Sequence, residues 1–316
     1  MIELDKAIQI ENLKVTFKSK NRRVEAVKGI SLTCPSGKKT GIIGESGSGK
    51  SLLAMSILQL LPTNAVIDGQ CFYKKRNLYK LNRKEISAIR CSDIALIPQN
   101  PFESLNPVLT VGRQLVETIR RHDNCSRNQA IQRVKDGLKT FAFKDPERIM
   151  SSYSFQLSGG MNQRILSVMG LLCRPNWVIA DEPTKGLDAI LRKSIYEELQ
   201  LIAESYTDSV LLITHDLLFA KKFCDYIGVF YRGEMVEWGE CRLIFKSPKH
   251  PYTHALLASM PQAGMHAIKK NITDQESFES GCSFYAYCTL RTELCKQKQF
   301  MRIGHDDHQV RCCRYD

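Results

Sequence analysis

Residues 44 to 51 read GESGSGKS, which fits the phosphate-loop pattern GxxxxGK followed by Ser or Thr, with Gly44, Gly49, Lys50 and Ser51 at the required spacing. Each residue type answers a chemical need. Glycines let the backbone curl closely around phosphate oxygens. The main-chain N–H groups from Ser46 through Gly47, Ser48, Gly49 and Lys50 to Ser51 would then point inward as an anion nest, with Glu45 at its edge and the positive end of the next helix dipole behind it. Lys50 would reach the β- and γ-phosphates of ATP, and the Ser51 hydroxyl would ligate Mg²⁺, an ion that sheds water reluctantly. Farther on, Trp177 to Glu182 is an apolar run ending in two acids. Asp181 is placed to hold the Mg²⁺ shell and Glu182 to polarise an attacking water as general base. Two such acids alone read as a helix N-cap; the phosphate loop, which needs this partner, turns the reading toward catalysis.

The elements that must position these residues are also legible. An apolar strand pattern at Thr40 to Ile43 precedes the loop, and a helix pattern (Leu52, Leu53, Met55, Ile57, Leu58, Leu61) follows it. Trp177 to Ala180 reads as a buried parallel strand with its acids at the C-terminal edge. Residues 1 to about 95, and 175 to about 240 with a helical stretch from Leu191 to Glu204, predict an α/β core. The segment between is mainly helical, with Gln129, Ala130, Ile131, Val134 and Leu138 at helical spacing. Residues from about 245 onward form an appendage.

LSGGMNQR at Leu157 to Arg164 completes a set. Together with the phosphate loop and the acids, it resembles the nucleotide-binding subunit of an ABC transporter, with the family's motifs in order. The resemblance implies an α/β fold: an ABC-type nucleotide-binding domain, RecA-like with a helical subdomain, plus a small Cys-rich C-terminal extension. The ATPase domain would span 1–245, its helical subdomain about 101–174, and the extension 246–316. It further implies that Ser158, Gly159, Gly160 and Met161 meet the γ-phosphate of ATP held by a second ATP-binding subunit stacked head to tail. Gln99 takes the place of the family's Q-loop and joins Ser51 and Asp181 around Mg²⁺. His215 resembles the switch histidine at the γ-phosphate, Asp188 the D-loop residue, and Phe17 the aromatic that stacks on adenine. Glu182, His215 and Gln99 are thus the expected catalytic set. Met161, Asn162, Lys185 and Gly186 depart from the common pattern without removing a phosphate contact.

The stretch from Ile97 to Ile119 and the element SPKHPYTHALLASMP at Ser247 to Pro261 resemble the branch importing oligopeptides, dipeptides and nickel. The tail agrees: Cys282, Cys288, Cys295 and HQVRC ending at Cys312 resemble that branch's cysteine elements. Five of the twelve cysteines lie in the last 35 residues. In a cytosolic chain they are either ligands of zinc or an iron–sulfur cluster, with Cys313 as an alternative fourth ligand, or free structural thiols. Five of the seven histidines, His250, His254, His266, His305 and His308, also fall here. They do not report the cargo, because a transported ion passes through membrane subunits, and His250 reads as structural.

With 43% apolar and 25% charged residues the composition is that of an ordinary globular chain. The most apolar helix pattern, Leu52 to Leu61, is interrupted by Gln59 and too short to cross a membrane. Glu3 and Asp5 break any apolar signal core. The net charge of +12, with basic clusters at Lys18 to Arg23, Lys74 to Arg76 and Arg120 to Arg121, invites a nucleic-acid partner. A solvated basic face drawn to an anionic inner leaflet fits better, since no nucleic-acid module is present. The expectation is therefore an ATP- and Mg²⁺-dependent subunit at the cytoplasmic face of the membrane that energises import of peptides or nickel. Its expected partners are a related second ATPase, two transmembrane permease subunits and an external binding protein. A soluble ABC ATPase of translation or nucleic-acid maintenance is the alternative. Translation factors of that kind carry two such domains in tandem, and the chromosome class needs a long coiled coil. The 106 residues between Ser51 and Ser158 show no sustained heptads.

Overall fold

The computed structural model describes residues 6–19, 22–100, 104–186, 189–260, 281–304 and 307–315. Expected site residue Asp188 and the tail residues His266 and His305 lie outside them. In chain order the elements are β1 (Ile8–Ser19), β2 (Arg22–Cys34), β3 (Lys39–Gly44), α1 (Lys50–Ile57), β4 (Ala65–Tyr73), β5 (Arg76–Asn77), α2 (Arg83–Ile89), β6 (Ile94–Ile97), α3 (Val111–His122) and α4 (Arg127–Thr140). They continue with α5 (Pro146–Ser151), α6 (Gly159–Leu171), β7 (Trp177–Asp181), α7 (Ala189–Ser205), β8 (Val210–Thr214), α8 (Leu217–Phe223), β9 (Tyr226–Tyr231), β10 (Glu234–Glu240), α9 (Cys241–Lys246), α10 (Pro251–Ala258), β11 (Arg302–Ile303) and β12 (Gln309–Val310). The chain forms two compact units, Met1–Tyr79 with Leu212–Asp316, and Lys80–Leu211.

In the first unit β1 pairs antiparallel with both β2 and β4, and β5 extends the sheet beyond β4. A second sheet sets β3 parallel to β9, then β10, β12 and β11 antiparallel in turn. Ile42, Ile43, Ile227 and Val229 at its centre are fully buried, each removing about 1.5–3 kcal/mol worth of apolar surface from water. Helix α1 ends at Ile57 and not at Leu61. Gln59 turns to a φ of 50°, and Pro62 bars the residue before it from helical backbone.

The tail belongs to this same unit and is stitched to β10 by one carboxylate. Glu237 is fully buried; its Oε1 accepts the Lys249 N–H at 2.6 Å and lies 2.6 Å from His308 Nε2, and its Oε2 accepts the His250 N–H at 2.9 Å. A buried carboxylate persists only with such partners. They fix where the segment after α9 runs.

In the second unit β6 and β7 are parallel, with Ile97 opposite Ala180. Its helices start where their capping residues fall. Thr110, Ser126, Asp145 and Ser158 each accept a backbone N–H of the first turn, Ser126 closes a capping box with Gln129, and Pro146 opens α5. Val111, Leu115 and Ile119 of α3, and Ala130, Val134 and Leu138 of α4, are fully buried at intervals of four, the single apolar stripe such spacing makes.

Candidate functional site

The phosphate loop is strung between β3 and α1. Gly44 has a φ of 148°, and a Cβ on it would stand 2.1 Å from the Phe230 carbonyl oxygen; at Gly49, φ 102°, a Cβ would meet the Ala26 oxygen at 2.7 Å. Close backbone approach therefore demands these two glycines, beyond any freedom to curl. The Gly233 N–H donates to the Ser48 oxygen at 2.9 Å, and the Glu45 N–H donates to the Tyr252 hydroxyl at 3.2 Å. Lys50 is buried, its ammonium donating to the carbonyls of Gly44 at 2.9 Å and Glu45 at 2.8 Å. No side chain caps α1 at Gly49, and the buried Ser48 hydroxyl has no partner among the described residues. A tight glycine loop at the start of a helix with a buried lysine beside it suits phosphate oxygens, although the Ser48 N–H, expected to face inward, donates to the Glu45 oxygen at 3.2 Å. Also in this unit, Phe17 is half-buried on β1 between Val24 and Ala65 of its neighbours. His215 is exposed just past β8, where Asp216 caps α8 by accepting the Phe219 N–H at 3.0 Å.

In the second unit Asp181 ends β7, and Glu182 follows it, while Gln99 lies two residues past the end of β6. The parallel register brings all three to the same edge of the strand pair. Glu182 is buried with a φ of 48°, a left-handed backbone that non-glycine residues hold only where the surroundings impose it. The turn behind it closes with the Lys185 N–H on the Glu182 oxygen at 3.1 Å, and Gly186 takes a φ of 74°, which accounts for glycine there.

Ser158 caps α6 by accepting the Met161 N–H at 3.3 Å, so Gly159, Gly160 and Met161 form its first turn. Position 161 contributes its backbone to that cap, which any residue supplies. Asn162 is fully buried and donates to the Ser154 oxygen at 2.9 Å and the Leu157 oxygen at 3.4 Å. It pins the segment leading into the motif, a role not evident from the sequence, where Asn162 stands only as a departure from the family's pattern.

Cys282, Cys288, Cys295 and Cys312 line one cavity of about 10 Å³ with His250 and Phe284, room for about a single water. Of the two alternatives for these cysteines, metal ligands or free thiols, the first gains no support: among the described residues no three His, Cys, Asp or Glu side chains are set to hold one ion. The sulfurs of Cys295 and Cys313 lie 3.4 Å apart. Burial pushes the Cys282 thiol up to about 12 and raises those of Cys288 and Cys312. Buried His250 is pushed down to about 4 by desolvation, and its Nδ1 accepts the Tyr252 N–H at 3.0 Å.

The ABC transporter family matches residues 27–185. The chain belongs to that family. The oligopeptide/dipeptide transporter C-terminal region matches residues 236–295 of this ABC ATPase, placing it in that branch. It is 38% identical to the dipeptide transport ATP-binding protein DppD of Bacillus subtilis (strain 168) across 99% of this chain and 96% of the relative. It is 35% identical to the oligopeptide transport ATP-binding protein OppD of Salmonella typhimurium over 91% and 88% of the two chains. The dimeric post-hydrolysis structure of the ATP-binding cassette MJ0796 bound to ADP and Pi superposes with a TM-score of 0.65 at 27% identity, covering 74% of this chain and 99% of that one. The ABC ATPase shows no helix among the described residues long and apolar enough to cross a membrane.

Proposed function

We propose that this chain is the subunit that binds and hydrolyses ATP to drive peptide import through membrane subunits at the cytoplasmic face. The likeness to DppD over 99% of the chain carries the reading, supported by the C-terminal match; that match also disfavours the translation and nucleic-acid alternative. Nickel, the other cargo expected of the branch, has no such support. Peripheral attachment, a second ATPase, two permeases and an external binding protein follow from the branch. On this reading residues 1–245 form the ATPase domain, with its helical subdomain near 101–174, and 246–316 the extension.

Lys50 leaves the loop carbonyls for the β- and γ-phosphates, and the loop N–H groups bind the remaining oxygens. Mg²⁺, when bound, neutralises phosphate charge; Ser51, Asp181 and Gln99 would hold it. Glu182 draws the proton from a water that attacks the γ-phosphorus as the bond to the bridging oxygen breaks and ADP leaves. His215 steadies the γ-phosphate, Phe17 stacks on adenine, and Ser158, Gly159 and Gly160 meet the partner's nucleotide together with Asp188. For the tail, the cavity of about 10 Å³ and the raised thiols favour structural cysteines over the zinc or iron–sulfur alternative. Iron, sulfide and visible absorbance after anaerobic purification test this, and coloured, iron-bearing protein overturns it.

Uptake of a labelled dipeptide and of labelled nickel, side by side in cells carrying wild type or Glu182→Gln, tests the main reading. Loss of peptide uptake alone is expected. Loss of nickel uptake alone reverses the cargo, and loss of neither refutes the transport role.

A further inference from the structure

The phosphate loop is gripped from outside by a residue of the tail. Tyr252 lies in the second position of α10, 207 residues from the loop, and its hydroxyl accepts the Glu45 N–H at 3.2 Å. The residue is fully buried, and burial raises its hydroxyl above the ordinary tyrosine range, so it stays protonated at any working pH. Its ring is wedged: 4.3 Å from the Tyr231 centroid and edge-on to Phe284 at 5.5 Å. The backbone behind it is held by His250 Nδ1 and, through Glu237, by β10. A hydroxyl on so rigid a mount fixes its donor in turn.

Glu45 is where such an anchor matters. Its N–H is directed to Tyr252 while its carbonyl, on the other face of the same residue, takes the Lys50 ammonium at 2.8 Å and the Ser48 N–H at 3.2 Å. The orientation of the peptide joining Gly44 to Glu45 is set on one side by Gly44 pressed on the Phe230 carbonyl and on the other by Tyr252.

We propose that Tyr252 is a positioning residue for nucleotide binding: by holding the Glu45 N–H outward it sets the turn from which the loop's remaining N–H groups and Lys50 face the phosphates. This rests on the reading of the loop as the ATP site. Tyr252 touches no phosphate and acts through Glu45.

The test uses the purified full chain with Mg-ATP. Tyr252→Phe keeps the ring and removes only the hydroxyl, and with it the acceptor of the Glu45 N–H. Its dissociation constant for ATP is expected to rise about five-fold, the effect of one lost hydrogen bond of about 1 kcal/mol, and hydrogen exchange at the Glu45 amide to speed up. Tyr231→Phe, which removes a hydroxyl from the same aromatic cluster without touching the Glu45 N–H, is expected to change neither. Wild-type affinity in Tyr252→Phe, or an equal loss in Tyr231→Phe, overturns the proposal. Lys50→Ala separates the two readings: if it binds ATP as wild type does, the ATP site itself is misassigned, whereas its failure to bind beside an unchanged Tyr252→Phe refutes only the positioning role.

Discussion

Glu198 on α7 is a carboxyl kept at a cost. It is buried, its Oε2 has no hydrogen-bond partner among the described residues, and burial, opposed by a hydrogen bond from Ser167 and the charge of Arg164, pushes it from 4.5 up to about 7. Because the folded-state value is raised, the native protein holds a proton that the unfolded chain has already released between these values. Stability attributable to this group therefore falls as pH climbs from 4.5 to 7 and is flat outside that window. The full difference is about 3 kcal/mol. Glu198→Gln keeps the shape and removes the titration. Relative to wild type, its unfolding temperature should be about 4 °C higher at pH 8 than the same comparison gives at pH 4.5, taking the usual unfolding entropy per residue. Thermal unfolding of both proteins across that range, followed by circular dichroism, measures the comparison. Because only the change with pH is used, any constant effect of the amide on packing cancels. A difference between the two proteins that is the same at both ends refutes the reasoning.

The loop glycines should respond unequally. Gly44→Ala drives a Cβ to within 2.1 Å of a backbone oxygen and should cost more than about 4 kcal/mol and abolish ATP binding. Gly47→Ala meets nothing within 4 Å and should cost about 1 kcal/mol of backbone strain. Unfolding and ATP titration of the pair check this. Asn162→Ala strands the carbonyls of Ser154 and Leu157 and should lower stability by about 1–3 kcal/mol, measured by denaturant unfolding; a neutral result would mean that the amide does not hold the segment before α6.

Much of the site is legible because its signals are local. GESGSGKS compresses a strand end, an anion cradle and a helix start into eight residues, and Ser126 with Gln129 announces α4 through hydrogen bonds three residues apart. Of the five positions expected on α4, Ala130, Val134 and Leu138 form the buried stripe while Gln129 is exposed and Ile131 half-buried, since a periodic pattern marks a face better than its margin. Trp177 to Ala180 reads as a parallel strand because burial on both sides leaves only apolar residues along it before Asp181.

Partners far apart in the chain leave no such mark. Glu237 and His308 are 71 residues apart, and neither residue type in its local setting announces a buried pair. Asn162 looks like a departure from a motif until the carbonyls it serves are in view. Tyr252, part of an element read only as a likeness to an importer tail, proves to face the phosphate loop. By itself the sequence determined the phosphate loop with its flanking strand and helix, the buried strand before the acids and the chemistry available, because these depend on neighbours within a few turns. The tertiary structure alone decided which distant groups meet, because burying a polar atom requires a partner, and only packing of the whole unit selects which one is within reach.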